Sequence, residues 1–254
     1  MSKRKEYISE VVDKWEAPDK NDARLLGMPV IPPQMFFMAP RNFMGPKAWN
    51  KMRKECYEKA GYKCEVCGYQ CEPGKMNAHE VYSINYKTGE SKFIRPVGLC
   101  IWCHLYNIHV SRALTEYKHG NPIYSAERLL EAAEHGFQVI ERWNKSHSEE
   151  EKIKKHAAML EYLRQAELEA PFRELVKKYN IEFYNQPSAK ASAPWEDWHL
   201  VYNGKEYRTP YKDQADLDKH LKKADKKIKR FEMTNRMQGG VFEEIDNIIK
   251  EGEK

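Results

Sequence analysis

The chain has 254 residues, 43 basic against 38 acidic, and a net charge of +5 at neutral pH. With 32% charged residues and a mean hydropathy of −0.84, it has a heavily solvated surface and room for one or two modest cores. No apolar run reaches the roughly 20 residues that a bilayer-spanning helix needs, and no apolar stretch follows the basic start Met1-Ser-Lys-Arg-Lys-Glu6. A membrane partner and a secretory signal are therefore not expected, and a cytoplasmic location is.

In chain order, Glu6 to Trp15 reads as a short helix. Prolines at 29, 32, 33, 40 and 46 forbid a continuous helix through the methionine-rich stretch that follows and favour an extended arm. Its apolar side chains are expected to pack on the main body. Residues 47–60 read as a helix: Pro46 stands at its start, Trp49, Met52, Cys56 and Ala60 form one stripe, and Gly61 ends it.

Two CxxC knuckles follow, Cys64-Glu-Val-Cys67 and Cys100-Ile-Trp-Cys103. A CxxC turn presents two thiolates from one tight loop, and two such turns complete a tetrahedral site, so a structural zinc on Cys64, Cys67, Cys100 and Cys103 is expected. Without an export signal, thiolates on a metal are favoured over disulfides. Cys56 is expected to be buried on its helix, and Cys71 stands as an alternative ligand. Between the knuckles, residues 78–84 and 91–95 read as two strands around a turn at 85–90, and helical character resumes from His104.

Downstream, Ser125 to Trp143 carries an apolar stripe of Leu129, Ala133, Phe137 and Ile140. Ser148-Glu-Glu-Glu151 is a capping-box pattern that opens a predicted helix to about Leu168, and Pro171 begins another through Tyr179. Asn203-Gly204 between Trp198–Tyr202 and Lys205–Thr209 signals a hairpin with a type I′ turn. The last stretch is a polar helix with a dense basic run containing Lys222, Lys223, Lys226, Lys227, Lys229 and Arg230, residues able to neutralise phosphates. The expected fold class is α+β. A zinc-stapled module at 47–118 is embedded in a mainly α-helical chain, with an N-terminal helix and arm at 1–46, a helical region at 119–185, and linker, hairpin and basic helix at 186–254.

The run Trp49…Gly61-Tyr-Lys-Cys64-Glu-Val-Cys67-Gly68…Ala78-His79-Glu80…Leu99-Cys100-Ile-Trp-Cys103-His104 resembles the zinc-stapled subgroup of HNH endonucleases over residues 47 to about 112. That resemblance implies a ββα-metal module acting on nucleic acid, DNA above all, by hydrolysing phosphodiesters with Mg²⁺ or Mn²⁺. In such sites a strand histidine and helix residues hold the cation, which here points to His79 and His104, with Asn107 or His109 as a further ligand. Glu80 occupies the slot of the general base and Arg95 that of the orienting asparagine. The second reading is a non-enzymatic HNH-like scaffold that binds nucleic acid or inhibits a protein partner, a phage anti-defence factor for example.

Overall fold

A computed structural model of the chain describes residues 8–19, 22–29, 31–72, 74–106, 126–157, 168–188 and 190–223. The strands are β1 (Ile8–Val11), β2 (Lys14–Trp15), β3 (Asn77–Asn85), β4 (Glu90–Leu99), β5 (Lys155–His156), β6 (Phe183–Asn185), β7 (His199–Tyr202) and β8 (Lys205–Arg208). The helices are α1 (Arg41–Lys59), α2 (residues 101–106), α3 (Ala126–Ser146), α4 (Glu169–Lys178) and α5 (residues 214–223). The chain forms two compact units, Met1–Thr209 and Pro210–Lys254.

The class is mixed α+β, with two sheets in the first unit. A five-stranded sheet runs β2-β3-β4-β7-β8, and a three-stranded sheet runs β1-β6-β5 with parallel pairing. In the five-stranded sheet the long β3–β4 hairpin slips register between Val81 and Tyr82, which leaves Ile94 as an extra residue on β4. Pro96, which has no N–H to donate, sits beyond the part of β4 that pairs with β7, so β4 is an edge there.

The strand pleat sends alternate side chains to opposite faces. Val81, Val97 and Leu99 face a larger core built with Leu129, Ala133, Phe137 and Ile140 of α3, Phe172 and Val176 of α4, and all four knuckle cysteines. Tyr82 and Ile84 face a smaller core of Met35, Met38, Tyr86, Trp198 and Leu200. The proline arm is thus a core element, as expected, although it folds as short turns at Ala23–Gly27 and Pro33–Met35 rather than lying fully extended. Gly136 lets α3 approach Tyr106, since a Cβ there would lie 2.3 Å from the ring.

Two expectations need correction. The described part of the helix expected from Glu6 to Trp15 is not helical: Ile8–Val11 pair in parallel with β6 and Lys14–Trp15 pair with β3, so sheet pairing overrides the local helical signal. The capping box at Ser148 is present, yet it caps only the three-residue turn Glu149–Glu151. The chain then enters β5, because Lys155 and His156 pair with Phe183 and Tyr184 and that sheet pairing overrides helix propensity. The remainder of that predicted helix, 158–167, lies outside the described residues. The predicted hairpin forms, with Asn203 and Gly204 both at positive φ. β7 pairs in parallel with β4, and Trp198 is fully buried against Tyr86. The helix predicted at 47–60 also starts earlier, at Arg41, with a break at Gly45 (φ 78°) just before Pro46.

β5 buries an ionisable pair. The Lys155 Nζ donates to the Leu26 carbonyl at 3.0 Å and lies 4.5 Å from the Tyr106 ring centroid. Burial holds Lys155 down to about 7 from 10.5, and burial together with Lys155 holds the neighbouring His156 down to about 4. Between pH 7 and 10.5 the unfolded chain keeps its lysine proton while the folded chain gives it up. Stability therefore rises with pH in that window, by up to about 1.4 kcal/mol per pH unit. Thermal unfolding between pH 7 and 9 should show a clear upward slope in the wild type that is flattened in Lys155→Met. Equal slopes in the two proteins would remove Lys155 as its source.

Candidate metal centre

The first knuckle begins where α1 ends. The Tyr62 N–H donates to the Tyr57 carbonyl and the Gly61 N–H to the Glu58 carbonyl, both at 3.0 Å, a Schellman closure with Gly61 at φ 58° and Tyr62 at φ 57°. The Cys64 N–H then donates to the Tyr69 carbonyl and the Gly68 N–H to the Cys64 carbonyl, each at 2.8 Å. Gly68, at φ 75°, takes the left-handed conformation that this tight turn requires.

Glu65 docks the knuckle on the end of β4. Its backbone N–H donates to the Gly98 carbonyl at 2.9 Å, and its carboxylate accepts from the Gly98 N–H and faces Arg95 Nη1 at 4.0 Å. Burial pushes the Glu65 carboxyl above its usual range, and those two donors oppose the shift. The second knuckle follows directly and opens α2. The Cys103 N–H donates to Cys100 Sγ at 3.4 Å and the His104 N–H to the Cys100 carbonyl at 2.9 Å.

The Sγ atoms of Cys64, Cys67, Cys100 and Cys103 consequently all lie within 4.8 Å of one another. Among the described residues this is the one group of three or more potential ligands close enough to share an ion. A tetrahedral thiolate site with metal–sulfur bonds of about 2.3 Å has sulfur–sulfur edges of about 3.8 Å. Cys67 and Cys100 are 3.7 Å apart, so the group fits a metal ion. Hydrogen bonds from Cys100 and Cys103 hold the Cys64 thiol down to about 7, and hydrogen bonds from Cys100 hold Cys67 below the usual thiol range. Cys71 is buried but stands outside the group, and burial pushes the Cys56 thiol up to about 12.

Two features here were not anticipated from sequence. Glu65 is one, hidden as the variable residue inside a CxxC turn. The other is His135 on α3, whose Nε2 lies 3.4 Å from Cys103 Sγ, so that with Cys103 ionised the ring N–H donates to the thiolate. The one advance signal for His135 is its place beside Ala132, Ala133 and Gly136, small residues that permit close approach of another element.

The ββα order is completed by β3, β4 and α2. The His79 and His104 rings meet edge to face, with centroids 6.0 Å apart and planes at 88°. Glu80 is not brought to the pair. The pleat carries it to the opposite face with Tyr82, where Arg41 Nη1 lies 3.3 Å from its carboxylate. Burial raises the Glu80 carboxyl above the usual range, partly offset by Arg41. Arg95 faces Glu65. Asn107 and His109 lie outside the described residues, as do Lys226, Lys227, Lys229 and Arg230, whereas Lys222 and Lys223 are exposed on α5.

No protein-family model, curated protein or solved structure matches the chain. Its own geometry carries the functional argument. The Cys103–His135 contact makes one direct prediction. His135→Ala should retain one metal ion per chain but lose it to a competing chelator about 10-fold faster or more, followed with a colorimetric indicator. Unchanged release would mean that His135 does not support the thiolate.

Proposed function

We propose that the chain is an HNH-like, zinc-stapled protein that acts on DNA, with His79 and His104 forming the centre of a divalent-metal-dependent phosphodiesterase site. The observation that supports this is the meeting of a strand histidine with a helix histidine beside a four-thiol staple. Zinc suits the staple, because thiolates favour it in a closed tetrahedral set. Its role there is structural, holding the hairpin and α2 together so that the two rings stay in register.

At the histidine pair, a bound Mg²⁺ or Mn²⁺ would stabilise the charge that builds on the phosphate and the departing oxygen. His104 is assigned to hold that ion, with Asn107 or His109 as the further ligands expected from the sequence. His79 is assigned as the base: as neutral imidazole it takes the proton from the attacking water, which adds its oxygen to phosphorus as the bond to the leaving oxygen breaks. Glu80 loses the base role foreseen for it. It faces away from the pair, and its partner Arg41 makes it a clamp between α1 and β3. Exposed Lys222 and Lys223 begin the basic run that suits a phosphate backbone.

One observation favours the second reading, a scaffold that binds nucleic acid or a protein partner without cutting. Glu80 and Arg95, the residues in the base and orienting slots, are both spent on ion pairs. Nicking of supercoiled plasmid by the full chain separates the two. With Mg²⁺ or Mn²⁺ the wild type should nick, His79→Ala should lose roughly 10²–10⁴-fold in rate while retaining zinc, and Glu80→Gln should stay within about tenfold of wild type. A wild type inert on DNA with every metal would sink the catalytic reading, and loss of activity in Glu80→Gln would return the base role to Glu80.

A further inference from the structure

The outer rim of the first knuckle has no part in holding the metal, yet it is built with care. Tyr62 and Tyr69 are 42% and 59% exposed, in a chain that buries Tyr82, Tyr86, Tyr106, Tyr179 and Tyr184. Tyr62 also sits at φ 57°, the left-handed region that glycine or asparagine occupies at little cost and a bulky aromatic does not. Its conformation is enforced from both sides. Its N–H donates to the Tyr57 carbonyl at 3.0 Å, and its carbonyl accepts from the Cys71 N–H at 2.9 Å and from Gln70 Nε2 at 3.2 Å. An aromatic ring held outward on strained backbone, with little burial to compensate, is the pattern of a functional contact rather than a structural one.

The two tyrosines are also placed relative to each other. Lys63 and Gln70 are directly paired across an antiparallel bridge, which the Cys64–Tyr69 and Cys71–Tyr62 backbone hydrogen bonds define. Tyr62 and Tyr69 are therefore diagonal neighbours, a relation that puts residues about 7–8 Å apart. Stacked nucleotides repeat at about 3.4 Å, so that interval accommodates one base with a ring on either side. Lys63 and Gln70 are exposed on the opposite face of that bridge, where the Gln70 side chain braces the turn through the Gly61 and Tyr62 carbonyls. The acidic side chain of this knuckle, Glu65, is turned inward on Gly98 and Arg95. What this face exposes is two aromatic rings.

We infer that this rim is a stacking platform for unpaired nucleotides of DNA, with Tyr62 and Tyr69 taking a base between them. The inference rests on the proposed action on DNA and names the form of DNA engaged: single-stranded or locally opened, since duplex bases are already stacked on each other and offer their faces to no side chain.

Fluorescence anisotropy of the zinc-loaded full chain with a labelled oligothymidylate and with a duplex of equal length tests it. The wild type should prefer the single strand. Tyr62→Ala/Tyr69→Ala should weaken single-strand binding at least about 20-fold with duplex binding unchanged, and the corresponding pair of Tyr→Phe changes should bind like wild type. Tyr62→Gly relieves the backbone strain, so it should unfold at a higher temperature than wild type while binding the single strand more weakly. That opposite movement keeps the test meaningful if the double alanine variant folds poorly. Wild-type affinity in Tyr62→Gly or in the double alanine variant would overturn the inference, as would an equal loss in the phenylalanine pair or no single-strand binding by the wild type. Plasmid nicking without tyrosine-dependent single-strand binding removes the platform and leaves the nuclease reading intact. Tyrosine-dependent binding without nicking does the reverse.

Discussion

Four sulfur atoms within 4.8 Å of one another are the constraint around which the first unit is organised. They come from two turns far apart in sequence, one closing α1 and one opening α2, and thiols converge this tightly in a reduced protein for a metal ion to hold. Each neighbouring element is tied to that point. Glu65 fastens the first knuckle to β4 through Gly98, β4 runs directly into the second knuckle, and His135 reaches across from α3 to Cys103. The larger core contains all four cysteines, so the staple is part of the packing rather than an appendage to it.

The β3 pleat then determines which side chains share a site. His79 falls on the face of the larger core and meets His104, whereas its neighbour Glu80 is turned to the other face and held there by Arg41. Two adjacent residues that look interchangeable as metal or proton ligands in sequence thus have separate fates. One meets the His104 ring edge to face beside the staple. The other is a buried carboxylate tied to α1 by the exposed Arg41, so that removing the arginine would leave its charge poorly solvated.

The knuckles, the hairpin between them, α1, α3 and the Asn203-Gly204 turn were legible because each rests on local signals: turn glycines, ligand spacing and regular apolar periodicity. The three-stranded sheet was not. β5 is two residues long and β6 three, and both are defined by parallel partners that no local pattern reveals. Ile8–Val11 looked helical for the same reason, since its pairing with Phe183–Asn185 joins opposite ends of the first unit. At the site, the cysteines could be read from spacing, while the histidine pair came from the family resemblance. The engagement of Glu80 with Arg41, of Arg95 with Glu65 and of His135 with Cys103 depends on tertiary approach and could not.

The staple is most directly tested by X-ray absorption at the zinc edge on the purified full-length chain, with metal content measured on the same sample. One zinc per chain with four sulfur neighbours at about 2.3 Å, a shell reduced to three sulfurs in Cys64→Ser, is the predicted result. A chain that folds without stoichiometric metal, or a zinc shell of nitrogen and oxygen unaffected by Cys64→Ser, would contradict it.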